Sequence, residues 1–294
     1  MQKTVKVYSP AHLSTIFQPY RDEYYLGRTG SRGTGITVEE GVNTTVKFSD
    51  GKRGRKLRMV SNGEERKSTP TEEIFKQLAK HLKRYNVVVS HSTSLPFESG
   101  NGLSAAVILN TAFGLYHILP FKESDFTPVV EKCHVTEVRL GTGLGDIGPM
   151  FYARGIDFRT EPGVPGYKEM RTIPYSDSSL LCFYLGKIKT KHVLGGDMDK
   201  ITKSAAAELS KLSKDASFEN FIECSKRFAK DSGLMPAELE KILEGFDQAS
   251  MIMLGNAGFV FGSDGEYERL LSLGVLPEQI IKTRITKRGT SIVQ

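Results

Sequence analysis

"SLPFESGNGLSAAVILNTAFGL", residues 94–115, runs from a proline through two glycines and a serine into alanines and an apolar helical pattern. A glycine-rich turn that opens a helix presents free backbone N–H groups and the positive end of the helix dipole, a combination that binds phosphate. A P-loop needs G-x-x-x-x-G-K-[ST], and the chain contains no Gly-Lys-Ser or Gly-Lys-Thr. A dinucleotide fold needs G-x-G-x-x-G/A after a strand. Gly100, Gly102 and Ala105 match that spacing, as do Gly143, Gly145 and Gly148. The first match lies a hundred residues in, with no strand ending in an acidic residue about twenty residues on. The second follows a helical pattern. Both P-loop and dinucleotide readings therefore fail.

Around this loop the chain alternates strand and helix patterns. "TVKVYS", "GTGITVEEGVNTTVKFS" and "KLRMVS" read as strands. "TPTEEIFKQLAKHLKRYN" reads as a helix capped by Thr71, with Ile74, Leu78 and Leu82 on one face. "VVVSHSTSLP" reads as a buried strand, residues 104–115 and 124–140 as helices, and "IGPMFYARGIDFRT" as a strand. "EPGVPGYK", with two prolines and two glycines, is the best domain boundary and divides the chain into 1–165 and 166–294. Beyond it come a strand in "SSLLCFYLGKI", three helical segments, a strand-like "SMIMLGNAGFVFG", a short helix and a last strand, "IIKTRIT". The fold class is α+β in two parts.

Composition excludes several functions. The longest apolar runs are too short to span a bilayer, and the N-terminal residues hold no signal-peptide core. A cytoplasmic enzyme without membrane or nucleic-acid partners is the expectation. Cys133, Cys182 and Cys224 are odd in number and far apart, which fits buried thiols better than disulfides or zinc. The net charge of +6 is a small excess, concentrated in "GKRGRKLR", residues 51–58. No aromatics interleave there as a single-strand binder would need, so a solvated hairpin is expected.

"PFESGNGLSAA" resembles the P-x-x-x-G-L-G-S-S-A-A loop of the galactokinase, homoserine kinase, mevalonate kinase and phosphomevalonate kinase superfamily, the GHMP kinases. Pro96, Gly100, Gly102, Ser104, Ala105 and Ala106 stand at its spacing, while Asn101 and Leu103 depart from it. "SPAH", residues 9–12, resembles the superfamily's first-strand motif, and "MIMLGNAGFVFG", residues 251–262, its C-terminal glycine motif. Within the superfamily, "GSRGTGITVEEGV" (30–42), "GTGLGDIGPM" (141–150) and "MLGN" (253–256) are most similar to the archaeal pantoate kinases.

The resemblance implies a two-domain GHMP kinase fold, ribosomal-protein-S5-like and then ferredoxin-like. It implies ATP-dependent phosphorylation of pantoate to 4-phosphopantoate in coenzyme A biosynthesis, with Mg²⁺. A kinase of another small alcohol, such as mevalonate or a phosphomevalonate, and a non-catalytic sensor are the rivals; whether the chain forms a homodimer stays open. The implied nucleotide loop is Pro96, Gly100, Asn101, Gly102, Leu103, Ser104 and Ala105. Read alone, Ser104 is equally a helix cap or a hydroxyl able to reach a metal ion, Glu137 an exposed helical glutamate, His134 a satisfied histidine and Asp146 a turn residue. By resemblance, Ser104 and Glu137 hold Mg²⁺, and Asp146 faces the substrate hydroxyl as base or orienting carboxylate. His134 lies near the acceptor. An anionic acceptor calls for arginine, whose fork grips a carboxylate in two places. Arg159 and Arg32 are the candidates, Arg159 preferred, with Ser31 adding a hydroxyl.

Overall fold

The computed structural model describes residues 3–51, 56–78, 80–82, 85–117, 126–164, 170–176, 179–186 and 198–293. The division at residue 165 and the core of the basic stretch at 51–58 lie outside them.

Two long strands, β1 (Lys3–Tyr20) and β2 (Gly30–Asp50), pair antiparallel over nearly their whole length. With β3 (Lys56–Ser61), β4 (Glu64–Glu65), β5 (Tyr85–Ser92), β6 (Ile156–Arg159), β7 (Met170–Thr172) and the C-terminal β12 (Ser291–Val293) they form the first sheet. Its main path runs β12-β1-β2-β5-β3-β4, and β6 pairs with β2 and β7. Register shifts interrupt β1 at Pro10/Ala11 and at Ser14/Ile16. A proline removes a ladder donor, and bulges re-aim side chains. Residues 11–14 are thereby isolated as a segment with its own register.

The second sheet holds β8 (Ser179–Gly186), β9 (Ala249–Ile252), β10 (Asn256–Phe261) and β11 (Ile280–Arg284) in the order β11-β8-β10-β9, all antiparallel. Between β8 and β9 come α5 (Met198–Lys214), α6 (Phe218–Asp231) and α7 (Ala237–Leu243); α8 (Asp264–Ser272) joins β10 to β11. That is a ferredoxin-like order. Sheet membership does not follow the 165 division: β7 and β12 lie beyond it in sequence but belong to the first sheet.

Among the described residues four helices cover the first sheet: α1 (Thr69–Gln77), α2 (Leu103–Tyr116), α3 (Phe126–Leu140) and α4 (Ile147–Tyr152). Ser68, not Thr71, caps α1: its side chain accepts from the Thr71 N–H, and the Thr71 hydroxyl bonds His91. Residues 147–152 form α4 where the sequence pattern suggested strand. Pro149 lies in its first turn, which tolerates a missing N–H, and Ala153 ends it in a left-handed conformation. Helix α2 is apolar on every face, and every residue in it except Ser104 is buried, as for a helix enclosed by protein on all sides. Of its two buried polar residues, Asn110 is satisfied by Ser9 Oγ and the Val42 carbonyl, while the Thr111 hydroxyl has no hydrogen-bond partner. The three cysteines are free and buried, as expected. Among the described residues no helix is long and apolar enough to cross a membrane.

Candidate active site

The loop of residues 97–104 lines a cleft of about 430 Å³ together with Ser14, Gly141, Thr142, Asp146, Met253 and Leu254. Gly102 is the N-cap of α2, at φ 63°, and with no side chain it leaves the first turn's N–H groups uncapped. Ser104, in that first turn, is half exposed into the cleft. The sequence motif and the geometry agree here: an open helix N-terminus faces a cavity able to take phosphates.

Two distant glycine motifs shape the loop's back. A Cβ on Gly100, at φ 80°, would stand 2.6 Å from the Met253 carbonyl oxygen, and one on Gly255 would run into the Ser99 carbonyl. The Met253 N–H in turn donates to the Ser14 carbonyl. Asn101 supports the same arrangement. Its side chain is 2% exposed; Nδ2 donates to the Pro96 carbonyl, and Oδ1 accepts from Tyr184 Oη of β8 at 2.8 Å. The carboxamide of Asn101 thus ties the loop to the second sheet. Leu103 lines the cleft, while Pro96 and Ala105 are not among its lining residues.

Asp146 ends the glycine turn 141–145 at the N-cap position of α4, with no side-chain capping bond. Its Oδ2 lies 3.3 Å from where a Cβ on Gly102 would stand, and equally near one on Gly143. Only glycines let this carboxylate approach the loop so closely. Its side chain is 16% exposed, toward the cleft. Oδ1 is 2.8 Å from His12 Nδ1 and accepts from Ser14 Oγ at 3.3 Å. His12 Nε2 lies 2.8 Å from Asp157 Oδ1, and Arg159 Nη1 donates to Asp157 Oδ2 at 2.7 Å. A buried chain, Asp146–His12–Asp157–Arg159, therefore runs from the cleft floor into the first sheet. Gly35 of β2 makes room for it, since a Cβ there would collide with the imidazole. Burial opposes the charge on Asp146, but the bond to His12 and the charges of His12 and Arg159 outweigh it and hold its pKa below the ordinary carboxylate value. Burial likewise opposes charge on His12, and the two aspartates overcome it, raising its pKa.

Glu137 of α3 is 1% exposed, and neither of its carboxylate oxygens has a hydrogen-bond partner. It sits against Gly143, beside Asp146. Burial, then the charge of Asp146, pushes its pKa well up; Arg159 and the nearby N–H groups of Asp146 and Ile147 offset only part of this. Two carboxylates this close, one of them unpartnered, are an arrangement that a cation stabilises. Among the described residues no group of three His, Cys, Asp or Glu side chains could hold a metal alone. Mg²⁺ commonly takes one or two protein groups and completes its shell with phosphate oxygens and water, which suits an unpartnered carboxylate such as Glu137; Ser104 lines the cleft, whereas Glu137 lies behind Gly143 and is not among its lining residues.

The four acceptor candidates separate. Ser31 Oγ and Arg159 Nε converge on Gly145, at 2.6 and 3.3 Å from the position of a Cβ there. Arg159 is 3% exposed, and its Nε has no partner. Ser31 lines a small cavity of about 20 Å³ that shares Ser14, Asp146 and Leu254 with the main cleft. His134 is buried under Thr29: Nε2 donates to that carbonyl at 2.8 Å, while Nδ1 is unpartnered and 4.0 Å from Glu137 Oε2. Burial lowers its pKa, so it is a neutral ring with a free acceptor nitrogen. Arg32 has a different partner: its Nε and Nη2 both donate to Gln18 Oε1, and it lines two other clefts with Glu161, one of which Arg159 also lines.

Sequence reasoning missed His12 and Asp157. His12 lay within the quoted "SPAH" but carried no role. Asp157 and Arg159 alternate in "DFR", which puts both on one face of a strand. That signal was available.

No family model matches the chain. The Thermococcus kodakarensis pantoate kinase is 30% identical over 279 residues, 92% of this chain and 91% of the relative. The chain belongs to the pantoate kinase family. A solved structure described as a phosphotransferase related to the CoA biosynthesis pathway is 25% identical, covers 99% of both chains and superposes with a TM-score of 0.86. The Methanococcus jannaschii mevalonate kinase, 13% identical, matches in fold with a TM-score of 0.64 over 97% of this chain and 99% of its own. The protein is a kinase with the GHMP fold.

Proposed function

We propose that this kinase transfers the γ-phosphoryl group of ATP to the primary alcohol of pantoate, giving 4-phosphopantoate for coenzyme A synthesis. One observation carries the reading: Asp146, ionised and partly exposed, lies on the floor of the cleft that the uncapped α2 terminus opens onto. Phosphoryl transfer needs positioning and charge stabilisation more than covalent chemistry. The N–H groups at the start of α2 would receive the phosphates. Mg²⁺, held by Ser104 and Glu137, would neutralise charge on the transferring group. Asp146 would orient the acceptor hydroxyl and take its proton as the P–O bond forms. Its depressed pKa makes it a weak base, which suits a loose transition state in which the proton leaves late.

The acceptor's carboxylate would lie on Arg159 Nε and Ser31 Oγ, both aimed at the turn 141–146. A cavity of about 20 Å³ holds roughly one water. The glycine turn must therefore shift to admit a six-carbon acid. His134 Nδ1 can accept from a substrate hydroxyl. ADP release against pantoate, mevalonate and homoserine tests the reading: turnover with pantoate alone is expected, and a preference for mevalonate would replace the acceptor. Binding of ATP without turnover of any acceptor would make the chain a sensor.

A further inference from the structure

The imidazole of His12 is buried beside the reacting groups without itself touching the cleft. Each of its nitrogens lies 2.8 Å from a carboxylate oxygen, Asp146 Oδ1 on one side and Asp157 Oδ1 on the other. Ionised carboxylates only accept, so facing two of them the ring carries a proton on each nitrogen. Four groups alternate in charge, minus, plus, minus, plus, from Asp146 to Arg159, and the inner three are almost wholly buried. The fold makes specific provision for the ring. It lies between the two register shifts of β1, where His12 pairs with Thr37, and Gly35, two residues before Thr37 on β2, has no side chain to occupy the ring's space.

Its two ends are the groups that the proposed reaction uses. Asp146 faces the reacting hydroxyl, and Arg159 presents its free Nε toward the turn that would cover the acceptor. We propose that His12 is a positioning residue: as an imidazolium it joins these ends, so that one buried charge chain sets both the hydroxyl-facing carboxylate and the carboxylate-binding guanidinium. The role in catalysis rests on the reading of the site as a pantoate kinase, whereas the charge state of the ring does not.

The other groups facing this chain are few. Ser14 Oγ donates to Asp146, and Glu137 repels it across Gly143. Gly35 contributes no charge. Loss of one of the two His12 ring protons would remove the positive charge beside Asp146 and, where it is the Nδ1 proton, leave Oδ1 facing a lone pair with only Ser14 and the distant Arg159 as favourable partners. The carboxylate would then rotate or take up a proton, and the acceptor hydroxyl would lose its partner. Activity should therefore fall on the alkaline side as His12 deprotonates. Asp157 touches neither cleft nor loop, so Asp157→Asn changes the ring's charge balance from behind while its side-chain oxygen can still accept from Nε2.

Two measurements test this. Imidazole ¹⁵N NMR reads the ring without substrate; the chain has six histidines, and the signals lost in His12→Gln assign His12. Wild type should show both His12 nitrogens protonated at pH 7.5, and Asp157→Asn should move the titration down by roughly a unit or more. The alkaline limb of kcat/KM should move with it, giving roughly a tenfold loss at a pH above the new midpoint. Gly35→Ala, which displaces the ring, should lower kcat as His12→Gln does. A singly protonated ring in wild type would overturn the proposal. So would an alkaline limb that stays in place in Asp157→Asn while only the melting temperature falls, since that marks a structural pair. Turnover of another acceptor with the same displaced limb would keep the charge chain and overturn pantoate as substrate.

Discussion

Asp146→Asn removes the group that faces the acceptor while keeping its size. A positioned proton acceptor contributes on the order of 10² to 10⁴ in rate, so kcat should fall by that much with KM for ATP little changed. Steady-state kinetics with each substrate varied would check it, and near-full activity would reduce Asp146 to a turn residue. Arg159→Ala has a wider effect than a clamp alone would suggest. It should raise KM for the acid roughly ten- to hundredfold. It also strips Asp157 of a buried partner at 2.7 Å, so the melting temperature should fall too. Arg159→Lys should restore part of the stability and less of the affinity, because an ammonium lacks the fork. At this scale the sequence was legible where a motif names its residues. Ser104, Glu137 and Asp146 come from three separate stretches, and the structure brings Glu137 and Asp146 together at Gly143 and sets Ser104 in the same cleft as Asp146. His12 was not legible, and Asp157 only in part: "DFR" sets it on one strand face with Arg159, but its link to His12 is a pairing between β1 and β6 that no local pattern encodes.

The glycine loop 97–104 is an element held from outside itself. Gly100 and Gly255 pack backbone against backbone, and Tyr184 reaches Asn101 from the second sheet. Gly100→Ala would force a side chain into a left-handed backbone against the Met253 carbonyl, costing about 1–3 kcal/mol. Urea unfolding should show that loss, with weaker ATP binding beside it. Tyr184→Phe removes one hydrogen bond, worth about 1 kcal/mol, and should raise KM for ATP about fivefold while leaving KM for pantoate unchanged. Equal effects on both substrates would mean that Tyr184 supports the fold in general. Helix α2 and the strands with β-branched alternation were plain in the sequence. Helix α4 was not, because "IGPMFY" is short and apolar, and strand and helix cannot be told apart by period over six residues. Strand β12 was missed because three residues carry no pattern of their own; pairing with β1 makes them a strand.

Across the whole molecule the two sheets share the cleft, with β1 supplying Ser14 to one wall and the β9–β10 turn supplying Met253 and Leu254 to the other. The ferredoxin-like order of the second sheet and the two-part α+β class follow the sequence reading; the return of β7 and β12 to the first sheet does not, since strand order is a tertiary property. Stability should depend on acidity through His91, which is buried between the Thr44 and Thr71 hydroxyls. Burial pushes its pKa down to about 4 from 6.5. The folded state therefore prefers the neutral ring. This contribution is complete above pH about 6.5 and is lost as pH falls toward about 4, amounting to about 3 kcal/mol. Urea midpoints of wild type between pH 7 and 4.5 should fall, and His91→Gln should start lower and fall less.

The most direct test of the central claim is the product itself. Incubate the protein with ATP, Mg²⁺ and pantoate, and take a proton-coupled ³¹P spectrum. An ester of the primary alcohol has its phosphorus next to a CH₂ and gives a triplet; an ester of the secondary alcohol, next to a CH, gives a doublet. The account predicts ADP and a new triplet from wild type, with the triplet strongly reduced for Asp146→Asn. A doublet, or no new ester while mevalonate is phosphorylated under the same conditions, would contradict it.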